Sequence, residues 1–150
     1  IASKVGTLRL LTCAAQSYLK KRGIPDAPAT LATHDCIAFS NIAGGTQWLF
    51  RSAVHGRQSV HIKPRLNVNT AEAAIDATVA GLGIARVLSY QAEAAIRKGR
   101  LRTVLDHYDD TVIPVQLMQR SVRLPKPPVR AFVPIAIEGL RKRLKAMERG

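Results

Sequence analysis

The chain of 150 residues, 47% of them hydrophobic, is long enough to bury one hydrophobic core, so we expect one folded unit or part of one. The net charge of +13, from 23 Lys and Arg against 10 Asp and Glu, indicates an anionic partner or a basic parent protein. No apolar run approaches the roughly 20 residues that a membrane span requires, so we expect no membrane contact. The opening IASKVGTLRLL carries no start signal, and we expect a fragment of a longer protein.

Strands and helices alternate along the chain. Apolar runs and alternating patterns predict strands at residues 8–12, 36–40, 46–52, 57–68, 84–87, 101–106 and 112–119. Helical spacing with Gly or Pro punctuation predicts helices at residues 14–22, 30–33, 89–98 and 129–147. A further helix is predicted to begin at Thr70 or Ala71 and to end at Gly81 or Gly83. The strands on either side of the His55–Gly56 turn are expected to form a hairpin, on which Trp48 is interpreted as a packing anchor. The alternation favours an α/β sheet with helices on both faces, interrupted by one hairpin.

The last predicted helix is amphipathic. Its apolar side chains share one face, which we expect to dock on a sheet: Val129, Phe132, Val133, Ala136, Leu140, Leu144 and Met147. Cationic side chains cluster near its end, at Arg141, Lys142, Arg143, Lys145 and Arg149. We interpret this cluster as a solvated helix face in preference to a dedicated nucleic-acid surface.

The two cysteines do not form a recognisable site. Cys13 and Cys36 stand in apolar surroundings without CxxC spacing, so neither a zinc site nor a redox pair is indicated. We expect two small buried residues in a reducing cytoplasm, while the sequence leaves a disulfide open. The four histidines share no metal-binding motif, and we predict no metal and no cofactor.

Catalysis requires a nucleophile, a base or a metal in a defined cluster, and no such motif is present in this sequence. His34 precedes Asp35, and His107 is followed by Asp109 and Asp110, but we interpret both groups as surface turns near strand ends. The sequence therefore predicts a protein that is not an enzyme.

The most informative segment is NVNTAEAAIDATVAGLGIARV, residues 67–87. A strand delivers Asn69 and Thr70 to the start of a helix, where unpaired backbone N–H groups and the helix dipole favour a carboxylate or another anion. A second interpretation is that Thr70 is only the N-cap, with its hydroxyl turned to its own helix. Spacing alone leaves both interpretations open.

Six segments in register resemble the LysR-type transcriptional regulators: CAAQSYLKKRGIP (13–25), LATHDCIAF (31–39), QWLF (47–50), NVNTAEAAIDATVAGLGIARV (67–87), KGRLRTVL (98–105) and PPVRAFV (127–133). The resemblance covers nearly the whole chain and lies in the family's effector-binding domain. It implies an α/β fold like that of the type 2 periplasmic solute-binding proteins, with two lobes. Residues 14–113 would then be a complete lobe II, and residues 1–13 and 114–150 the crossover strands and a partial lobe I.

The resemblance also implies where an effector binds. Asn69 and Thr70 fall where the family's second lobe presents a helix N-terminus to the effector. The turn around Ala14 and the strand end at Phe39 and Ser40 are further candidates for lining the cleft. The sequence departs from the family at Gln16 and Leu88, where proline is common, and this puts the local loop shape in doubt.

The implied function is allosteric sensing without catalysis. A small effector, for which the basic composition favours an anion, would change the angle between the lobes, and homo-oligomers would pass the change to DNA-bound helices. DNA contact would come only from a winged helix-turn-helix that this chain lacks. The alternative is a solute-binding protein of the same fold that serves transport, and an enzyme on this scaffold is least favoured.

Overall fold

The computed structural model describes residues 2–39, 45–119 and 127–148. Its strands are β1 (Ala2–Ala14), β2 (Cys36–Phe39), β3 (Gln47–Ser52), β4 (Gly56–His61), β5 (Pro64–Val68), β6 (Ile84–Leu88), β7 (Arg102–Val104) and β8 (Val112–Met118). Its α-helices are α1 (Gln16–Arg22), α2 (Ala71–Val79), α3 (Ser89–Arg97) and α4 (Pro127–Glu148), with short 3-10 helices at Pro28–Thr33 and Asp106–Tyr108.

The chain divides into two compact units. One unit is Arg9–Thr111, and the other joins Ile1–Leu8 with Val112–Gly150. The assignment of residues 14–113 to lobe II, and of the remaining residues to crossovers and lobe I, stays a prediction.

The unit Arg9–Thr111 is built on a mixed sheet with the strand order β5-β2-β6-β1-β7. β2 runs parallel to β5 and β6, whereas β1 runs antiparallel to β6 and β7. Phe39 pairs with Val68, and Leu10 pairs with Leu88. The carboxyl ends of β2, β5 and β6 therefore lie at one edge of the sheet, together with the part of β1 around Leu10.

Helices cover both faces of this sheet. Successive residues of a strand point to opposite sides, so each strand contributes side chains to both faces. Ile37 and Ala85 face the layer of α2 and α3 and pack in one apolar cluster with Ala74 and Ala92. The opposite face carries a second cluster, which draws on α1 and the β3–β4 hairpin: Tyr18, Leu19, Cys36, Ala38, Trp48, Phe50, Val60 and Ile84. The predicted α/β sheet with two covered faces is confirmed, and Trp48, 6% exposed, is a packing residue as predicted.

The prediction of one strand over residues 57–68 is wrong. β4 ends at His61 and pairs only with β3, in a separate two-stranded sheet, whereas β5 starts at Pro64 and joins the main sheet beside β2. Pro64 has no N–H to donate and cannot continue the β4 ladder. Ile62, fully buried beneath the hairpin, donates its N–H to the Thr46 carbonyl at 2.8 Å and closes the hairpin before the chain leaves it.

In the other unit, β8 pairs with β1, and α4 contacts β1 through Arg141, Leu144 and Glu148. Leu144 is buried and lies so close to Gly6 that a Cβ there would stand 2.7 Å from Leu144 Cδ1. Phe132 is 64% exposed and Leu140 is 38% exposed, so the predicted docking of the whole apolar face is wrong over the described residues. An apolar stripe shows that a face is suited to burial, but it does not show what lies against it. Arg141, Lys142, Arg143 and Lys145 are exposed, as expected for a solvated face.

Within residues 2–39, 45–119 and 127–148, no helix combines the length and the apolar character that crossing a bilayer requires.

Cys13 and Cys36 are free thiols with no exposed surface. They belong to apolar clusters on opposite faces of the sheet, on strands separated by β6, so the disulfide that the sequence left open does not fit this geometry. The pKa of each thiol is raised to about 12, by burial at Cys13 and by burial together with the neighbouring Asp35 carboxylate at Cys36.

We expect the cysteines of the native protein to react very slowly with Ellman's reagent at pH 8, so that almost no coloured thionitrobenzoate is released. A thiol with a pKa of about 12 is ionised at this pH in about one molecule in ten thousand. After unfolding in guanidinium the same assay should titrate both cysteines. A Val54→Cys variant is the positive control, since Val54 is 84% exposed, and it should react at once. Rapid reaction of a native thiol would contradict the buried placement.

Candidate functional site

Thr70 connects β5 to α2 and caps that helix. Its backbone is extended, with φ of −125°, and its hydroxyl accepts a hydrogen bond from the Ala73 N–H at 3.2 Å. The Thr70 carbonyl accepts from the Ala74 N–H at 3.2 Å, which is the first bond of the helix. The N-cap interpretation is therefore confirmed. It leaves the N–H groups of Ala71 and Glu72, which precede any acceptor within the helix, pointing out of its N-terminal end.

The electrostatics at this helix start have two opposing components. The N-terminal end of α2 carries the positive end of the helix dipole, which favours an anion. Glu72, in the first turn, places a carboxylate at the same end and reduces that preference. Asn69 and Thr70 are both exposed to solvent.

A second helix starts at the same edge of the sheet. β6 leads directly into α3, and the Ser89 hydroxyl accepts the Arg9 N–H at 3.2 Å. The Leu88 N–H donates to Gln91 Oε1 at 2.9 Å, so Leu88 uses a donor that a proline would lack. Ser89 and Arg9 were not among the predicted site residues, although a serine directly after a buried strand is a usable signal for a helix start.

The structure brings some of the predicted site residues together and separates one. Phe39 ends β2 opposite Val68, so Phe39, Asn69 and Thr70 lie at the same edge, with Phe39 only 9% exposed. Ser40, the next residue along the chain, lies outside the described residues. Since β1 runs antiparallel to β6, Ala14 lies towards the opposite edge, and it has no exposed surface. Ala14 therefore does not lie with Phe39, Asn69 and Thr70.

The other departure from the family pattern also stands at the start of a helix. Gln16 opens α1, and its amide oxygen accepts a hydrogen bond from Arg102 Nη1 at 3.5 Å. Proline is favoured at the first position of a helix because its missing N–H has no partner there. Glutamine is compatible with the same start, so the helix forms without the proline.

The histidine and carboxylate groups do not assemble a catalytic cluster among the described residues. His34 Nδ1 lies 3.0 Å from the Tyr18 hydroxyl, which also accepts the Asp35 N–H at 2.9 Å. Burial, aided by the Arg22 guanidinium, lowers the pKa of His34 below its usual value. Tyr18 is 3% exposed, so this group anchors α1 to the strand end instead of facing a substrate.

One predicted surface turn is a buried ion pair instead. Asp109 is 5% exposed and accepts a hydrogen bond from Arg86 Nη2. The signal for this contact was Arg86 itself, the one charge within the apolar strand IARVL, since a buried charge requires a partner. No group of three or more potential metal ligands is present in ranges 2–39, 45–119 and 127–148.

Parallel strands that end at one edge, followed there by two helix N-termini, form the arrangement at which open α/β domains commonly bind ligands. The family model described as the LysR substrate binding domain matches residues 1–141. The chain belongs to this family, as the six segments predicted, and its fold is the periplasmic-binding-protein-like α/β fold of LysR regulatory domains.

Curated relatives are regulators. The chain is 26% identical over 140 residues to an uncharacterized HTH-type transcriptional regulator from Haemophilus influenzae, covering 93% of this chain and 46% of that protein. It is 34% identical over 109 residues to the uncharacterized HTH-type transcriptional regulator YhjC of Escherichia coli, covering 72% of this chain and 36% of that protein. The chain thus spans less than half the length of these relatives, whose names favour regulation over transport.

Solved structures share the fold. The regulatory domain of CrgA, a LysR-type regulator from Neisseria meningitidis, matches with a TM-score of 0.78 and 23% identity over 93% of this chain and 68% of that one. The full-length virulence activator AphB of Vibrio cholerae matches with a TM-score of 0.81 and 19% identity, over 93% of this chain and 47% of that one.

Proposed function

We propose that this chain is the effector-sensing part of a LysR-type transcriptional regulator. The observation that carries the proposal is the match of the LysR substrate binding domain model to residues 1–141. A small molecule would bind at the sheet edge and bias the conformation of the regulator, and a separate helix-turn-helix domain would contact the DNA. The names of the relatives, which are HTH-type transcriptional regulators, support the assignment of ligand binding and DNA binding to separate domains.

The proposed contact residues are Asn69 and Thr70, with Phe39 at the same edge. Ser40 remains a candidate from the sequence alone. Support comes from the shared edge of β2 and β5 and from the two N–H groups that α2 cannot satisfy internally. A carboxylate suits this position because it accepts hydrogen bonds from both N–H groups. Repulsion by the Glu72 carboxylate favours a ligand whose negative charge lies against these backbone groups and away from the Glu72 side chain. Phe39 would offer its remaining exposed surface to an apolar part of the ligand.

The remaining parts of the proposal follow from the family. We propose that the protein is cytoplasmic, works as a homo-oligomer and catalyses nothing. His34 and Asp109, which pair with neighbouring charged or aromatic groups, are both engaged in structural contacts. Sensing requires only that the ligand bind one conformation better than another.

Thr70→Leu is expected to weaken ligand binding at least about tenfold, because it removes a hydroxyl and places a bulky side chain at the helix start. A panel of small mono- and dicarboxylates is first screened by thermal shift, and the affinity of a stabilising compound is then measured by calorimetry. Thr70→Ser is the matched control, since serine keeps the cap, and it should bind within about threefold of the unmodified chain.

Circular dichroism checks that Thr70→Leu still folds, since loss of the cap costs about 1 kcal/mol of unfolding free energy. Unchanged affinity in a folded Thr70→Leu variant would remove Thr70 from the site. Turnover of a panel compound that depends on Thr70 would contradict the sensing function itself.

A further inference from the structure

Arg86 is a charged residue in a strand that is otherwise apolar. It lies in the middle of β6, it is 5% exposed, and the preceding Ala85 and following Val87 have no exposed surface. Its guanidinium carbon stands 4.3 Å from the centre of the Phe50 ring, and Nη2 donates to Asp109 Oδ2. A hydrophobic residue would be cheaper to bury here than an ion pair, so packing alone does not account for this arginine.

The partner of Arg86 lies in the segment where the chain leaves the unit Arg9–Thr111. We call residues 109–111 the exit segment, because the unit ends at Thr111 and β8 follows. Asp109 Oδ1 accepts the Thr111 N–H at 3.0 Å while Oδ2 accepts from Arg86. One carboxylate therefore shapes the exit segment and ties it to the central sheet.

Further polar contacts fix the same segment to other strands. The Asp110 N–H donates to the Arg51 carbonyl at 2.7 Å, and Asp110 Oδ2 accepts the Ala53 N–H at 2.8 Å. The Thr111 carbonyl accepts the Leu10 N–H at 3.3 Å. The exit segment is thus held by β6, by the end of β3 and by β1, and only the contact to β6 is a buried ion pair.

The residues just before the exit segment include one with an unfavourable backbone conformation. Leu105, just before the 3-10 helix Asp106–Tyr108, has a φ of 61°, which a residue with a Cβ rarely adopts, and its side chain is 8% exposed. Arg86 Nε and Thr12 Oγ1 are buried without a hydrogen-bond partner among the described residues. The chain therefore enters a strained turn and is held there by a pair whose hydrogen bonds are only partly satisfied.

We propose that the Arg86–Asp109 pair is a positioning device that anchors the exit segment to the sheet. This role rests on the proposed sensing function. A ligand bound to the unit can influence the chain beyond Thr111 only if the exit segment is held firmly by residues of that unit. β6 carries both Arg86 and, at its carboxyl end, the start of α3 at the candidate edge. Only Val87 and Leu88 separate Arg86 from the start of α3, so the strand connects the anchor with the proposed ligand edge.

Native-state hydrogen exchange tests this without any ligand. In Asp109→Asn the amides of Asp110 and Thr111 are expected to exchange at least about tenfold faster, relative to the amides of Ile37 and Ala38 in β2, because local release requires no global unfolding. Glu93→Gln is the matched control: it breaks the Arg97–Glu93 pair, 3.7 Å apart with Arg97 72% exposed, and should change neither set of amides.

A double variant separates anchoring from general stability. Asp109→Asn alone leaves Arg86 as an unpaired buried charge, and this lowers the melting temperature, whereas Arg86→Met with Asp109→Asn removes the charge and should recover most of the loss. The exit segment should nevertheless exchange as fast in the double variant as in Asp109→Asn. Equal acceleration of exit-segment and β2 amides in all variants, or unchanged exchange in the double variant, would overturn the proposal.

The outcomes stay separate from those of the ligand screen. Exchange is measured on the free protein, so failure of every carboxylate would count against the proposed site and leave the anchor standing. Equal acceleration of the exit-segment and β2 amides would rule out the anchor and leave Thr70 as a candidate ligand contact.

Discussion

Gly83→Ala is expected to lower the free energy of unfolding by about 3 kcal/mol. A Cβ at this position would lie 2.5 Å from the Asp35 carbonyl oxygen and 2.9 Å from its carbon, both of them backbone atoms. That carbonyl accepts the Ile84 N–H at 2.9 Å where β2 and β6 begin, so neither strand can move away without losing the contact. Urea unfolding, followed through the fluorescence of the single tryptophan, measures the loss.

Gly139→Ala is the control for this substitution. Nothing lies within 4 Å of a Cβ at Gly139, which is inside α4, so the added methyl group meets open space. Alanine favours a helix interior by about 0.5–1 kcal/mol over glycine, and no loss of stability is expected. A Gly83→Ala variant as stable as the unmodified chain would show that the start of β6 does not approach Asp35 as described.

Phe50→Ala is expected to cost about 3–5 kcal/mol of unfolding free energy. The Phe50 side chain is fully buried, it contributes to the core between β3 and the sheet, and its ring lies under the Arg86 guanidinium. Its removal opens a cavity and takes away a neighbour of a buried charge. Chemical denaturation followed by far-ultraviolet circular dichroism gives the difference.

The neighbouring residue provides the control. Leu49 lies on the same strand but points to the other side and is 46% exposed, so Leu49→Ala should cost less than about 1 kcal/mol. If the two variants lost similar free energy, the alternation of buried and exposed residues along β3 would be in error.

Local signals in the sequence predicted the elements that carry the candidate site. Thr70 before an alanine-rich helical run predicted the cap, and the hydroxyl does accept the Ala73 N–H at 3.2 Å. The apolar run at residues 84–87 predicted a buried strand, and β6 occupies that position. These signals lie within a few residues of the contacts that they predict, so they require no knowledge of the fold.

Long-range pairing is what the sequence did not provide. The split at Pro64 depends on β5 finding β2 as its neighbour, and the burial of Asp109 depends on an arginine 23 residues earlier in the chain. The spacing of apolar residues on α4 predicts an apolar face, but it does not predict which residues pack against that face. Ser89 was missed for the same reason, because its position beside Arg9 follows from the antiparallel pairing of β1 with β6.

The place of β1 in the sheet has a consequence for how the protein folds. β1 is synthesised before the other strands of its sheet, yet it lies between β6 and β7, which pair with it at Arg86 and Val104 opposite Thr12. During synthesis its two edges stay open until most of the unit has left the ribosome, and closing so long a loop slows the search for the correct pairing. An unpaired central strand is also the segment most exposed to wrong partners, so a nascent chain truncated before β6 is expected to depend on chaperones or to aggregate.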